Sequence, residues 1–145
     1  MEIKLASQFS KEHFEAMTLR EQVLDSKINL DKEQKMAIYV AIDNGRVIGT
    51  ASVQLYPFNV ARVRQVAVSP DYQGQQIGSK LLDSCEAFAR NSRHSKVILT
   101  GRMTASTFYL KRDYQAFLLP FKKHDINFLW MKKNVAEAAQ VVQTV

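Results

Sequence analysis

The chain has 145 residues, of which 46% are hydrophobic and 23% charged, and its formal net charge is +6. These proportions are typical of a soluble globular protein, and they predict a single domain over residues 1–145. No apolar run is long enough to span a bilayer, and the Met-Glu-Ile-Lys start lacks a signal-peptide pattern, so we expect no membrane partner. The only cysteine, Cys85, excludes an internal disulfide and favours a reducing, cytoplasmic location.

The polar residues exclude two further classes of site. The basic residues come singly or in pairs, without a long tract or an aromatic-interleaved stripe, so we expect no nucleic-acid partner. The three histidines, His13, His94 and His124, have no ligand spacing, and we predict no metal. Cys85 falls on an apolar helix face, which favours core packing over a nucleophilic role.

The first 59 residues have the pattern of a strand, a helix and a β-hairpin. Ser10 is placed to cap the helix, and Asp43 to Arg46 have the composition of a tight hairpin turn. Gly49 is expected at a bulge or a close approach. The predicted segments are a strand at 1–6, a helix after Ser10, a loop or short helix at 29–35, strands at 37–42 and 47–55, and a turn at 56–59.

The stretch from Arg62 to Arg90 organises the chain. Val63 to Val68 is a β-branched run that predicts a strand, and a turn-rich linker from Ser69 to Gly74 follows it. A helix is predicted from about Gln75, because apolar residues then recur at helical spacing. A strand, a loop and a helix start leave free backbone amides, which suit a phosphate-type anion.

The loop itself, Gln73-Gly74-Gln75-Gln76-Ile77-Gly78, resembles the acetyl-coenzyme A pyrophosphate loop of the GNAT N-acetyltransferases. The family pattern is Gln or Arg, any two residues, Gly, any residue, then Gly or Ala. Gln76 stands where Gly is usual, and its amide would keep the contact if the helical conformation is kept. The dinucleotide fingerprint needs three glycines and the P-loop needs Gly-Lys-Ser/Thr, and neither is present.

A second segment, Gly101 to Tyr114, resembles the other signature of the family, which ends in Phe-Tyr and a helix-ending Gly. Asp113 replaces that Gly here, and it leaves a helix less easily. Val97–Thr100 is expected as a short buried strand, and 116–121 and 126–131 as strands of a terminal hairpin. Residues 134–145 are expected to form a loosely ordered tail.

The resemblance implies the GNAT acyl-CoA N-acyltransferase fold, an α/β (α+β) architecture. Its mixed, mostly antiparallel sheet would have about six or seven strands with flanking helices. It also implies that the backbone of Val66, Ala67 and Val68 takes the pantetheine arm of acetyl-coenzyme A, with the amide near Val68 polarising the thioester carbonyl. The implied cofactor-binding residues are Val66, Ala67, Val68, Gln73, Gly74, Gln75, Gln76, Ile77, Gly78 and Ser79.

Two residues are assigned to catalysis. Tyr109 matches the tyrosine acid of the family and would protonate the leaving thiolate, the alternative being a core aromatic beside Phe108. Glu21 in the first helix is the preferred general base, with His124 and Asp125 behind it, and surface exposure is the alternative for each of these three.

The function implied by the resemblance is acetyl-coenzyme A-dependent N-acetyl transfer to a primary amine, without an acyl-enzyme. A non-catalytic acyl-coenzyme A-binding regulatory module is the alternative, favoured by Gln76 in place of Gly and by the absence of an evident base. The acceptor, a small-molecule or peptide amine, is left open, as is a homodimer.

Overall fold

The computed structural model describes residues 1–24 and 27–135, which form seven strands and four α-helices. The strands are β1 (Glu2–Ala6), β2 (Ala37–Asp43), β3 (Arg46–Tyr56), β4 (Val60–Val68), β5 (Lys96–Arg102), β6 (Gln115–Lys123) and β7 (Ile126–Asn134). The helices are α1 (Lys11–Leu24), α2 (Leu30–Glu33), α3 (Ile77–Asn91) and α4 (Ser106–Lys111). The predicted tail at 134–145 begins too early, since Asn134 ends β7 and Val135 is buried, and residues 136–145 lie outside the described residues.

The strands form one mixed sheet in the order β1-β2-β3-β4-β5-β7-β6. The pairs β1/β2, β2/β3, β5/β7 and β6/β7 are antiparallel, whereas β4 pairs in parallel with β5 through Val60, Ala61 and Arg62. A parallel pair needs a long crossover connection, and α3 supplies it between β4 and β5. The predicted fold class is therefore confirmed, with seven strands.

The chain divides into two compact parts. The first part comprises residues 1–54 and 63–88, and the second comprises residues 55–62 and 89–145, described as far as residue 135. Within the described ranges, no helix is both long and apolar enough to cross a membrane. The single domain over 1–145 stays a prediction.

The first part has its core between α1 and the strands β1 and β2. Ala6, Ala16, Met36, Ile38 and Val40 form one buried cluster there. On α3, Ile77 and Leu81 approach β3 so closely that a Cβ added to Gly49 would lie 3.1 Å from a side-chain carbon of each. The close approach predicted at Gly49 is thus confirmed.

Cys85 belongs to the core of the first part. Its side chain is fully buried, and this burial, together with the charge of Glu86, raises the pKa of the thiol far above its ordinary value. A thiol that stays protonated is a poor nucleophile. The predicted core role of Cys85 is therefore confirmed.

The second part contains the predicted terminal hairpin of β6 and β7. His124 and Asp125 form its turn with φ values of 52° and 62°, the left-handed pair that a tight hairpin favours. Aromatic side chains line the hairpin, with the Phe121 and Phe128 rings stacked 5.5 Å apart. The guanidinium of Arg62 lies 4.9 Å from the Trp130 ring centroid. The contact of Arg62 with Trp130 joins β4 to β7 across the intervening strand β5.

The observed elements differ from the predicted ones by one to three residues at several ends, and the segment at 29–35 takes the short-helix alternative. β4 begins at Val60 rather than Val63, because its first residues pair with β5. The segment at 29–35 contains the short helix α2, which the Asn29 side chain caps by accepting from the Lys32 amide at 3.1 Å. α3 begins at Ile77 rather than near Gln75, because the two preceding residues remain in the loop.

Candidate active site

The loop between β4 and α3 presents backbone amides on an exposed surface. Gln73 to Gln76 are exposed, whereas Ile77 is only 2% exposed and anchors the helix start in the core. The Lys80 amide donates to the Gln76 carbonyl at 3.1 Å, so helical hydrogen bonding begins there and the amides of residues 77–79 lack acceptors within the helix. A Cβ added to Gly78 would meet no atom within 4 Å. Open space above free amides fits a phosphate group.

Two residues of this loop adopt the left-handed conformation. The φ angles are 82° for Gly74 and 63° for Gln76. The helical conformation on which the predicted Gln76 contact was conditional is absent, because the chain turns through the left-handed region before α3 begins. Glycine occupies this region without strain, whereas another residue loses about 1 kcal/mol there. The amide of Gln76 is still a donor, but its direction is set by the turn.

Three hydrogen bonds fix the loop to the strands of the first part. The Gln73 carboxamide donates to the Val68 carbonyl at 3.1 Å, and the Ser69 amide donates to the Ile48 carbonyl at 2.8 Å. The Tyr72 hydroxyl donates to a carboxylate oxygen of Asp43 at 2.9 Å, and this bond raises the pKa of the phenol. The structure thus brings together Gln73 and Val68, two of the predicted cofactor-binding residues.

A buried ion-pair network lies between α1, α2 and β4. Arg20 and His13 are fully buried, and Glu33 is 2% exposed. The Arg20 guanidinium donates to both carboxylate oxygens of Glu33, with 2.9 Å to Oε2, and also to the carboxamide oxygen of Gln65. Gln65 lies within β4 but has a φ of 57°. The network therefore ends on a left-handed residue one position before Val66.

The hydrogen bonds of His13 define its tautomer. Its Nδ1 accepts from the Phe9 backbone amide at 2.8 Å, so Nε2 carries the proton and donates to Glu33 Oε1 at 3.0 Å. Burial alone would raise the pKa of Glu33, but hydrogen bonds from Arg20 and His13 and the charge of Arg20 outweigh it and lower that pKa. Glu33 is therefore a buried carboxylate held ionised by its partners.

Tyr109 lies in α4, within the second part of the chain. Its ring packs directly on the backbone of Gly101, where an added Cβ would lie 2.6 Å from the ring carbon Cε2. The rings of Phe108 and Tyr114 contact it edge-on, with centroids 5.0 Å and 6.0 Å away. Burial raises the pKa of the Tyr109 phenol, so the hydroxyl keeps its proton at neutral pH. The packing holds the ring in place, and the protonated hydroxyl is the form that a general acid requires.

The candidate bases are all on the surface. Glu21 is exposed on α1, and His124 and Asp125 are exposed in the β6–β7 turn. The assignment of Glu21 as base stays a prediction, as does that of Tyr109 as acid.

A cleft of about 590 Å³ lies beside α1 in the first part. Thr18, Leu19 and Gln22 of α1 line it, together with the start of β3 and with Ser69, Asp71 and Tyr72. Its lining includes none of the predicted cofactor-binding residues, so it is a separate depression next to the loop.

Four residues of these sites were not singled out from the sequence: Arg20, Glu33, Gln65 and Gly101. One signal was available for Arg20, since it follows the buried Ala16 and Met17 by four and three residues on the same helix face. A charged residue at an apolar position of a helix indicates a buried partner.

Comparison with known proteins agrees with this architecture. The family model described as "Acetyltransferase (GNAT) family" matches residues 4–114. A structure from Lactobacillus plantarum described as an N-acetyltransferase aligns with a TM-score of 0.79 at 21% identity, covering 93% of this chain and 99% of that one.

Two further structures align over nearly their whole length. The ribosomal-protein-S18-alanine N-acetyltransferase from Escherichia coli gives a TM-score of 0.75 at 16% identity, covering 93% of this chain and 95% of that one. A GNAT family acetyltransferase from Elizabethkingia anophelis with acetyl-CoA bound gives a TM-score of 0.73 at 16% identity, covering 92% of this chain and 97% of that one. At these identities the structures show a shared fold.

The sheet order, the loop and the helix start are those of an acyl-CoA-dependent transferase fold. More particularly, because the family model matches most of the length of this chain, the chain belongs to the GNAT family of acetyltransferases.

Proposed function

We propose that this protein is an acetyl-coenzyme A-dependent N-acetyltransferase that transfers the acetyl group directly to a primary amine. The observation that supports this best is the exposed β4–α3 loop, with free amides at residues 77–79 and open space at Gly78. The match to the GNAT family model supports the same reaction class. A neighbouring fold with acetyl-CoA bound is consistent with the donor.

The proposed donor site uses backbone rather than side chains. The amides of residues 77–79 and the positive end of α3 would hold the pyrophosphate, because a helix start favours anions. Val66, Ala67 and Val68 would bind the pantetheine arm as an added strand, and the amide near Val68 would polarise the thioester carbonyl. The remaining loop residues, Gln73 to Gln76, give the turn its shape.

The proposed chemistry needs one base and one acid. A free alkyl amine has a pKa near ~10, by analogy with lysine, so Glu21 or a water that it orients would take a proton before the nitrogen attacks. The amine nitrogen then forms a bond to the carbonyl carbon, and the carbon–sulfur bond breaks. Tyr109 would donate its proton to the departing thiolate, whose pKa is near ~8.5 by analogy with cysteine. The products are an amide and free coenzyme A.

The acceptor is proposed only by class, as a small-molecule or peptide amine. We infer that the enzyme works in the cytoplasm, which is consistent with the reduced Cys85 and with the supply of acetyl-coenzyme A. The net charge of +6 makes polyamines weaker candidates than less cationic amines.

The test is turnover across a panel of amines that includes amino sugars, polyamines, amino acids and peptides with free N-termini. Release of coenzyme A thiol is followed with and without each amine. Amine-dependent release with at least one class supports the proposal. Saturable binding of acetyl-coenzyme A without release for any amine would instead favour the non-catalytic module.

A further inference from the structure

We propose that Arg20 is a positioning residue, which acts through Gln65 to set the backbone of residues 66–68 for the acyl donor. The proposal rests on the proposed function, because it concerns the strand segment assigned there to the pantetheine arm. It gives a role to a buried cation that lies outside the donor loop.

The first observation is the conformation of Gln65. Its φ of 57° lies in the left-handed region, which a non-glycine residue in a strand rarely adopts. Such conformations persist only where the surroundings enforce them, and they redirect the amides that follow. The residue that follows is Val66, the first of the three assigned to the donor.

The second observation is the set of hydrogen bonds that holds the Gln65 side chain. The Arg20 guanidinium donates to the Gln65 carboxamide oxygen and, at the same time, to both carboxylate oxygens of Glu33. Glu33 is in turn held by His13 at 3.0 Å. Because Arg20 and His13 are fully buried and Glu33 is 2% exposed, the guanidinium has a fixed position from which to hold Gln65.

Stability alone is a weak explanation for this arrangement. Burying a charge pair loses the hydration of both groups, and well-packed apolar residues often serve a core equally well. A planar guanidinium, however, can donate to both oxygens of a carboxylate and still direct a donor to another group. This geometry suits a device that fixes the backbone at Gln65.

The experiment exploits glycine, which adopts a left-handed φ without strain. Gln65→Ala removes the bond to Arg20 and leaves a residue that disfavours the observed φ, whereas Gln65→Gly removes the same bond but tolerates it. Gln65→Glu keeps an acceptor for Arg20. Arg20 itself is left intact, because its loss would leave the buried Glu33 carboxylate without its ion-pair partner.

For each variant we would measure kcat and KM for acetyl-coenzyme A, the calorimetric Kd for acetyl-coenzyme A, and Tm. Gln65→Ala should lose about ten- to a hundred-fold in kcat/KM, since misplacing reacting groups by about 1 Å has effects of this size. Gln65→Gly and Gln65→Glu should recover most of that loss, and Gln65→Gly should have a higher Tm than Gln65→Ala because glycine relieves the left-handed strain.

A purely structural role predicts that the variants differ in Tm while each folded variant keeps the kcat and KM of the parent. A kcat/KM of Gln65→Gly as low as that of Gln65→Ala, or a kcat/KM of Gln65→Ala equal to that of the parent, would overturn the proposal. Arg93, exposed with a φ of 60°, supplies a matched control, in which Ala and Gly variants should alter only Tm.

The two proposals fail in different ways. A parent protein that binds no acetyl-coenzyme A refutes the proposed function. A parent that binds it, alongside a Gln65→Ala variant that binds and turns over equally well, refutes only the role of Arg20.

Discussion

Replacing Gly101 by Ala perturbs Tyr109 without altering the tyrosine itself. The added Cβ would lie 2.6 Å from Cε2 and 3.0 Å from Cδ2 of the Tyr109 ring, whereas ordinary contacts begin at 3.4 Å. The ring edge must therefore retreat by about 0.8 Å, the difference between 3.4 and 2.6 Å. Phe108 and Tyr114 pack on the same ring and restrict where it can move.

The expected effects follow from this displacement. Forcing extra volume into a packed site costs typically about 1–3 kcal/mol, so the free energy of unfolding should fall within that range. A catalytic group displaced by about 1 Å loses up to about a hundred-fold in rate. If Tyr109 is the acid, Gly101→Ala should therefore lower kcat by roughly ten- to a hundred-fold.

The assay is a double-mutant cycle of Gly101→Ala and Tyr109→Phe, with kcat measured on an accepted amine and stability by urea unfolding. Both changes should act through one hydroxyl, so in the Tyr109→Phe background Gly101→Ala should lower kcat only slightly further. Gly45→Ala is the control. It forces a residue into the left-handed region, φ 74°, but its Cβ meets no atom within 4 Å, so it should lower stability alone.

Equal losses of kcat in both backgrounds would refute this reasoning. Gly101 would then affect turnover by another route, and Tyr109 would be an aromatic of the fold.

The other predictions concern the acid, the donor loop and the buried carboxylate. Tyr109→Phe should lower turnover by roughly ten- to a thousand-fold and remove the alkaline limb of the pH profile, whose pKa burial places above the ordinary tyrosine value; an unchanged profile would deny the acid role. Gly78→Val should weaken acetyl-coenzyme A binding by at least about ten-fold in calorimetry and abolish most of the rise in Tm that the ligand gives, because its side chain enters the open space at the helix start; equal affinity would mean that the pyrophosphate binds elsewhere. Gln76→Gly should raise the free energy of unfolding by up to about 1 kcal/mol by relieving the left-handed strain, and a loss of stability would contradict that conformation. Because the pKa of Glu33 is lowered on folding, Glu33 contributes stability that is present above its unfolded pKa, near ~4.3, and lost as the pH falls through its folded pKa. By urea unfolding, the Glu33→Gln variant should be less stable than the parent at neutral pH, and its free energy of unfolding should fall less steeply in acid. An unchanged acid dependence would exclude Glu33 as the source of that loss.

The sequence predicted the features that repeat or that follow from local chemistry. The β-branched run before Ser69, the helical spacing after Ile77 and the Asn44-Gly45 turn each depend on neighbouring residues, and all three appear in the structure. Asp113 takes the left-handed helix-ending position with a φ of 71°, as expected for a substitute for glycine.

The missed features depend on residues that are distant in the sequence. Arg20 and Glu33 are separated by 13 positions and Arg20 and Gln65 by 45, so no local pattern pairs them. The left-handed φ of Gln76 could not be predicted, because its side chain carries no preference for that region and only the turn geometry requires it. The need for glycine at Gly101 arises from a ring eight residues away in α4.

The most direct test of the central claim follows the acetyl group itself. The protein is mixed with acetyl-coenzyme A that carries a deuterated acetyl group, first alone and then with an amine selected from the panel. Intact-mass spectrometry of the protein and of the amine is recorded over the time course. Direct transfer predicts a protein of unchanged mass throughout and an amine that gains one labelled acetyl group on nitrogen. A labelled protein that forms before the amine is added and then loses its label to the amine would contradict it, as would an amine that never acquires the label.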